Sequence, residues 1–121
     1  MKPVSNILVP VDFSDQSRGM LRYAKVIAER YSAEVTLLHV LSPGDTIFPA
    51  DLAGPKIFPA PRDVMAETSA QLATFGNYEL RGVTVRRLVS VGDPAEQIAG
   101  FVRTEGVKLI AMPTHGLGVL R

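Results

Sequence analysis

The chain has 121 residues, 46% of them apolar and 21% charged, which is ordinary globular usage at the length of one domain. Thirteen Lys and Arg against twelve Asp and Glu leave a net charge of +1, so neither nucleic acid nor an anionic membrane, both of which need a basic excess, is an expected partner. The absence of cysteine excludes disulfides, thiolate metal sites and cysteine nucleophiles, and two histidines, His39 and His115, are too few for a histidine-rich zinc cage.

Residues 6–11 (NILVPV) open the chain with a nearly continuous apolar run. That is how a strand buried on both faces reads. The run is too short for a signal-peptide core, and no apolar stretch is long enough to cross a bilayer, so a cytoplasmic location is expected. Met20, Leu21, Ala24, Ile27, Ala28 and Tyr31 then fall on one face of a helix, which Ser14 or Asp15 can cap. Residues 34–40 (EVTLLHV) give the second buried strand. Residues 41–61 hold five of the nine prolines and carry Ile-Phe-Pro-Ala twice, at 47–50 and 57–60. This reads as a long Pro-rich loop: a mobile surface excursion, a lid or a partner-binding loop.

A weaker helix is predicted from about residue 62 to 80, with Gly76 disfavouring its last turn. Residues 83–91 (VTVRRLVSV) form the third strand, and its paired Arg86 and Arg87 suit an edge. Asp93 is a natural N-cap, with Pro94 in the first helical position and Ala95, Ile98, Ala99 and Val102 as the apolar stripe. Residues 107–112 (VKLIAM) are apolar apart from Lys108 and read as a central fourth strand. Strands alternating with helices imply right-handed crossovers. The expected fold is α/β, an open parallel sheet with helices on both faces.

In such sheets ligands bind outside the carboxyl ends of the strands, where the strand order reverses. Asp12 follows the first strand there. It can hydrogen-bond a ligand hydroxyl or base nitrogen, help hold a hydrated cation, or satisfy loop amides. Thr114, His115, Gly116 and Gly118 after the fourth strand offer a hydroxyl, an imidazole and backbone amides for an anion nest, or simply a turn that needs glycine. His39 lies within a strand and reads as a satisfied core or interface histidine. Gly92-Asp93-Pro94 reads as a strand exit and helix cap. No G-x-G-x-x-G follows the first strand and no G-x-x-x-x-G-K-[ST] occurs. A phosphoacceptor site at the third strand is disfavoured, because Asp93 is committed to a cap. No Ser-His-Asp order or acid–base pair points to an enzyme.

Taken together, residues 7–14 (ILVPVDFS), 33–40 (AEVTLLHV), Gly92-Asp93-Pro94 and 109–116 (LIAMPTHG) resemble the universal stress protein family. The resemblance implies a Rossmann-like fold of the adenine-nucleotide alpha-hydrolase type, with strand order 3-2-1-4-5, of which this sequence supplies 3-2-1-4. Residues 1–121 are then expected to form one domain that lacks the C-terminal part of the family motif. ATP-binding members use a Pro-Val-Asp turn after strand one, a valine ending strand two and a G-x2-G-x9-G-[ST] motif after strand four. Carried over, Pro10, Val11 and Asp12 flank the adenine and ribose, and Val40 lines the adenine pocket. Met112, Pro113, Thr114, His115 and Gly116 approach the ribose and phosphates. Pro113 stands at the first motif glycine and has no N–H, so only its carbonyl can serve. The third glycine and its Ser or Thr are not in the sequence.

The resemblance therefore implies a small stress-response module that binds ATP or a related adenine nucleotide, with or without Mg, and forms a homodimer. The alternative is a dimerising interaction protein of the same fold that binds no nucleotide. An ATPase is a third reading, with no identifiable base or metal pair. The apolar edge at 107–112 is expected to need cover from a further strand or a partner.

Overall fold

A computed structural model describes residues 4–41 and 61–112. The Pro-rich stretch at 42–60, and Pro113, Thr114, His115 and Gly116, lie outside the described residues. Four parallel strands, β1 (Asn6–Pro10), β2 (Glu34–Leu41), β3 (Val85–Val91) and β4 (Leu109–Ile110), stand in the order β3-β2-β1-β4. Between them in sequence run α1 (Asp15–Tyr31), α2 (Pro61–Thr74) and α3 (Pro94–Glu105). Pairing runs Ile7 to Val35 and Leu109, and Val35 to Val85, so alternate residues of all four strands share a face.

That alternation sorts the core. Ile7, Val9, Val35 and Leu37 face one way, against Leu21, Ala24 and Ala28 of α1 and Leu72, Phe75 and Leu80 at and beyond the end of α2. Leu8 and Leu38 face the other way, with Val40, Leu88 and the half-buried Ile98, Phe101 and Val102 of α3. Helices thus cover both faces, as the continuous apolar runs require. Each fully buried Leu, Ile or Val here contributes about 1.5–3 kcal/mol by leaving water. Because β1 lies between β2 and β4, the order reverses beside it, and the carboxyl ends of these three strands stand side by side, where open parallel sheets bind ligands.

Several local expectations change. The second helix stops at Thr74, not near residue 80. Gly76 adopts φ +76°, and a Cβ there would run into the Leu21 side chain, so the chain turns under α1 instead of continuing its helix. Tyr31, expected on the buried stripe of α1, is exposed in the last turn, just before the left-handed C-cap Ser32. On α3 the contact face is Ile98, Phe101 and Val102, while Ala95 and Ala99 are exposed. β4 spans two residues and pairs only with β1 among the described residues; its Ile110 is 39% exposed.

The paired arginines of β3 point to opposite faces. Arg86 reaches Glu34 and Glu105 at 3.8 and 3.3 Å on the α3 face. Arg87 donates to the Phe75 carbonyl and the Asn77 side chain at 2.9 and 2.8 Å on the α1–α2 face. Burial pushes the Arg87 guanidinium below its ordinary value.

Candidate functional site

The turn from β1 into α1 stands at the carboxyl end of the sheet, between the ends of β2 and β4. Val11 ends the sheet ladder by donating its N–H to the Leu38 carbonyl at 2.9 Å. Asp12 follows, exposed at the carboxyl end of β1. Its Oδ1 accepts the Ser17 hydroxyl at 2.6 Å and the Ser14 N–H at 3.0 Å. The Asp12 N–H in turn donates to Ser17 Oγ at 3.0 Å. Ser14 is the N-cap of α1, its hydroxyl accepting the Ser17 N–H at 3.1 Å. Short O–H···O⁻ bonds of this kind are charge-assisted, and the helix N-terminus favours the nearby carboxylate.

Phe13 completes the turn with φ +65°, the left-handed region that non-glycine residues rarely enter. Its ring packs against His39 at 4.6 Å between centroids and meets the edge of Phe75 at 5.3 Å. His39 Nδ1 lies 2.7 Å from the Val11 carbonyl, which can only accept, so Nδ1 carries the proton. His39 is therefore a satisfied anchor of the turn. Arg18 lies over the outer ring, 4.7 Å from the Phe75 centroid, and reaches Glu79 at 3.7 Å. The exit from β3 follows expectation: Gly92 donates to the Leu41 carbonyl, and Asp93 caps α3 through the Glu96 N–H at 3.0 Å, with Pro94 in the first turn.

The sequence-predicted residues divide by place. Pro10 ends β1 opposite Leu38 of β2, and Val40 follows two residues further on, half-buried with Leu8 and Leu38 on the α3 face. Ile110 pairs with Leu8 on that face, and Met112 lies just beyond it, 43% exposed. Pro10, Val11, Asp12, Val40 and Met112 thus all sit at the carboxyl ends of β1, β2 and β4. Pro113, Thr114, His115 and Gly116 fall outside the described residues. Ser17 was not singled out from the sequence. Its signal was available: Ser17, Leu21, Ala24 and Ala28 fall on one helical face, and a hydroxyl on a buried stripe demands a partner.

A separate groove of about 360 Å³ runs between α3 and the β2–β3 pair, with Leu38, Leu88, Ser90, Gln97 and Phe101 among its walls. None of the five placed site residues lines it. Among the described residues no three His, Asp or Glu side chains converge to hold a metal ion. No helix among them is long and apolar enough to cross a membrane.

Comparison with known proteins agrees with this fold. The model of the Universal stress protein family matches residues 3–121. The chain belongs to the universal stress protein family. Among relatives, it is 27% identical to Universal stress protein MJ0577 of Methanocaldococcus jannaschii, over 91% of this chain and 76% of that protein. The solved structure of a universal stress protein family member from Burkholderia pseudomallei superposes with a TM-score of 0.73 at 23% identity, covering 96% of this chain and 86% of the other. A universal stress protein from Archaeoglobus fulgidus, solved in complex with dAMP, gives a TM-score of 0.62 at 21% identity, covering 93% and 82%. Both structures share the fold with this chain.

Proposed function

We propose that this universal stress protein binds ATP or a related adenine nucleotide across the carboxyl ends of β1, β2 and β4, and acts in the cytoplasm as a stress-response module. The observation that carries the reading is the Asp12 carboxylate, pinned by Ser14 and Ser17 at the switch point of the sheet. Beside it, Val40, Ile110 and Met112 offer an apolar surface at the ends of β2 and β4. A fixed acceptor next to apolar side chains suits a flat base with donor groups on its rim. In this reading Pro10, Val11 and Asp12 flank the base and ribose, Val40 and Met112 contact the base, and Thr114, His115 and Gly116 approach the ribose and phosphates. Pro113 can contribute only its carbonyl oxygen. The Archaeoglobus fulgidus relative solved with dAMP supports the ligand class. Any Mg would be held mainly by the phosphates.

The second reading is a dimerising interaction module without nucleotide. The exposure of Ile110 and Met112 beside β4 favours it, since apolar groups at a sheet edge recruit partners. Calorimetric titration with ATP separates the two. Saturable heat with one site per chain supports the nucleotide module. A flat titration, with dimerisation in light scattering, supports the second reading.

A further inference from the structure

We propose that Ser17 is the positioning residue of this site: its buried hydroxyl holds the Asp12 carboxylate in the orientation that receives the ligand. The proposal rests on the nucleotide reading above. Ser17 is fully buried in the third position of α1, on the face whose other members are Leu21, Ala24 and Ala28. Helix capping does not require its hydroxyl, because Ser14 already satisfies the Ser17 N–H. The Ser17 hydroxyl instead acts twice on one residue, donating to Asp12 Oδ1 at 2.6 Å and accepting the Asp12 N–H at 3.0 Å. These two bonds close a ring across the turn and fix both the backbone and the carboxylate of Asp12. Asp12 itself is exposed; the Ser14 N–H also reaches its Oδ1, and the shorter, charge-assisted bond from the Ser17 hydroxyl narrows the rotamers open to it further. Freezing one long-lived orientation before binding removes an ordering cost, worth about three- to tenfold in affinity for one side chain.

A merely structural serine would weaken binding independently of Asp12, so the test is a double-mutant cycle. Wild type, Ser17→Ala, Asp12→Ala and the double variant are titrated with ATP by calorimetry, with urea denaturation confirming that each is folded. Ser17→Ala should bind about fivefold more weakly, Asp12→Ala about tenfold or more, and the double variant no more weakly than Asp12→Ala alone. Wild-type affinity in Ser17→Ala, or losses that simply multiply in the double variant, would overturn the proposal. If Ser17→Ala does not fold, Ser17→Cys, close in size and a poorer donor, replaces it with the same expectations. A ligand-free readout runs beside the cycle: carboxyl ¹³C relaxation of Asp12 should report greater mobility once the Ser17 hydroxyl is lost. If wild type binds no ATP, the nucleotide reading fails, and unchanged Asp12 mobility would then also remove Ser17 from its positioning role.

Discussion

Replacing Phe13 tests whether the β1–α1 turn is held in a strained conformation by its aromatic neighbours. At φ +65° a residue with a Cβ carries a cost of about 1–2 kcal/mol relative to right-handed backbone. The ring offsets it by half-burial and by its contacts with His39 and Phe75, each pair adding about 0.5–1.5 kcal/mol. Complete truncation of a buried Phe costs about 3–5 kcal/mol, so the half-buried Phe13→Ala should lose about 2 kcal/mol. Phe13→Gly loses the same ring but also releases the backbone strain. After the greater entropy of glycine in the unfolded chain is subtracted, Gly should be more stable than Ala here by about 0.5–1 kcal/mol. That order is the reverse of the one expected in a helix or strand. Urea unfolding at matched m-values gives the difference directly. An alanine variant as stable as the glycine variant, or more so, would refute the claim that the turn stores strain at this position.

Gly76→Ala should destabilise the fold by about 2–3 kcal/mol, because φ +76° and the Leu21 side chain both oppose a Cβ; thermal and urea midpoints should fall together. Asp93→Ala should lose about 1 kcal/mol by uncapping α3, seen as a lower urea midpoint at unchanged m-value.

Much of the architecture was legible in the sequence. The runs at residues 6–11 and 34–40 carry no charge beyond the first residue of the second, and strands with both faces covered need nothing else to be recognised. Asp93 and Pro94 announced a helix start through chemistry contained within four residues. The Arg86–Arg87 pair pointed to an edge, and β3 does border only β2 among the described residues. What was hidden depends on contacts distant in sequence. Gly76 already disfavoured the last turn of α2, but the point where the helix stops is set where Gly76 passes beneath Leu21, far earlier in the chain, and no local propensity encodes that meeting. The left-handed Phe13 is sustained by His39 and Phe75, from β2 and the turn beyond α2. In the candidate site, Asp12 was visible because an acidic residue after a buried strand is conspicuous. Ser17 carries a weaker signal: it shares a helical face with Leu21, Ala24 and Ala28, but a serine in the first turn of a helix is ordinary until its burial against Asp12 gives it a purpose.

The most direct test of the central claim is an ATP titration of the ¹⁵N-labelled protein followed by amide NMR. Nucleotide binding at the carboxyl ends of β1, β2 and β4 should give saturable shifts concentrated at Val11, Asp12, Ser14, Val40 and Met112, with the walls of the groove beneath α3, Ser90, Gln97 and Phe101, left in place. Shifts confined to that groove, or no shifts at saturating ATP, would contradict it.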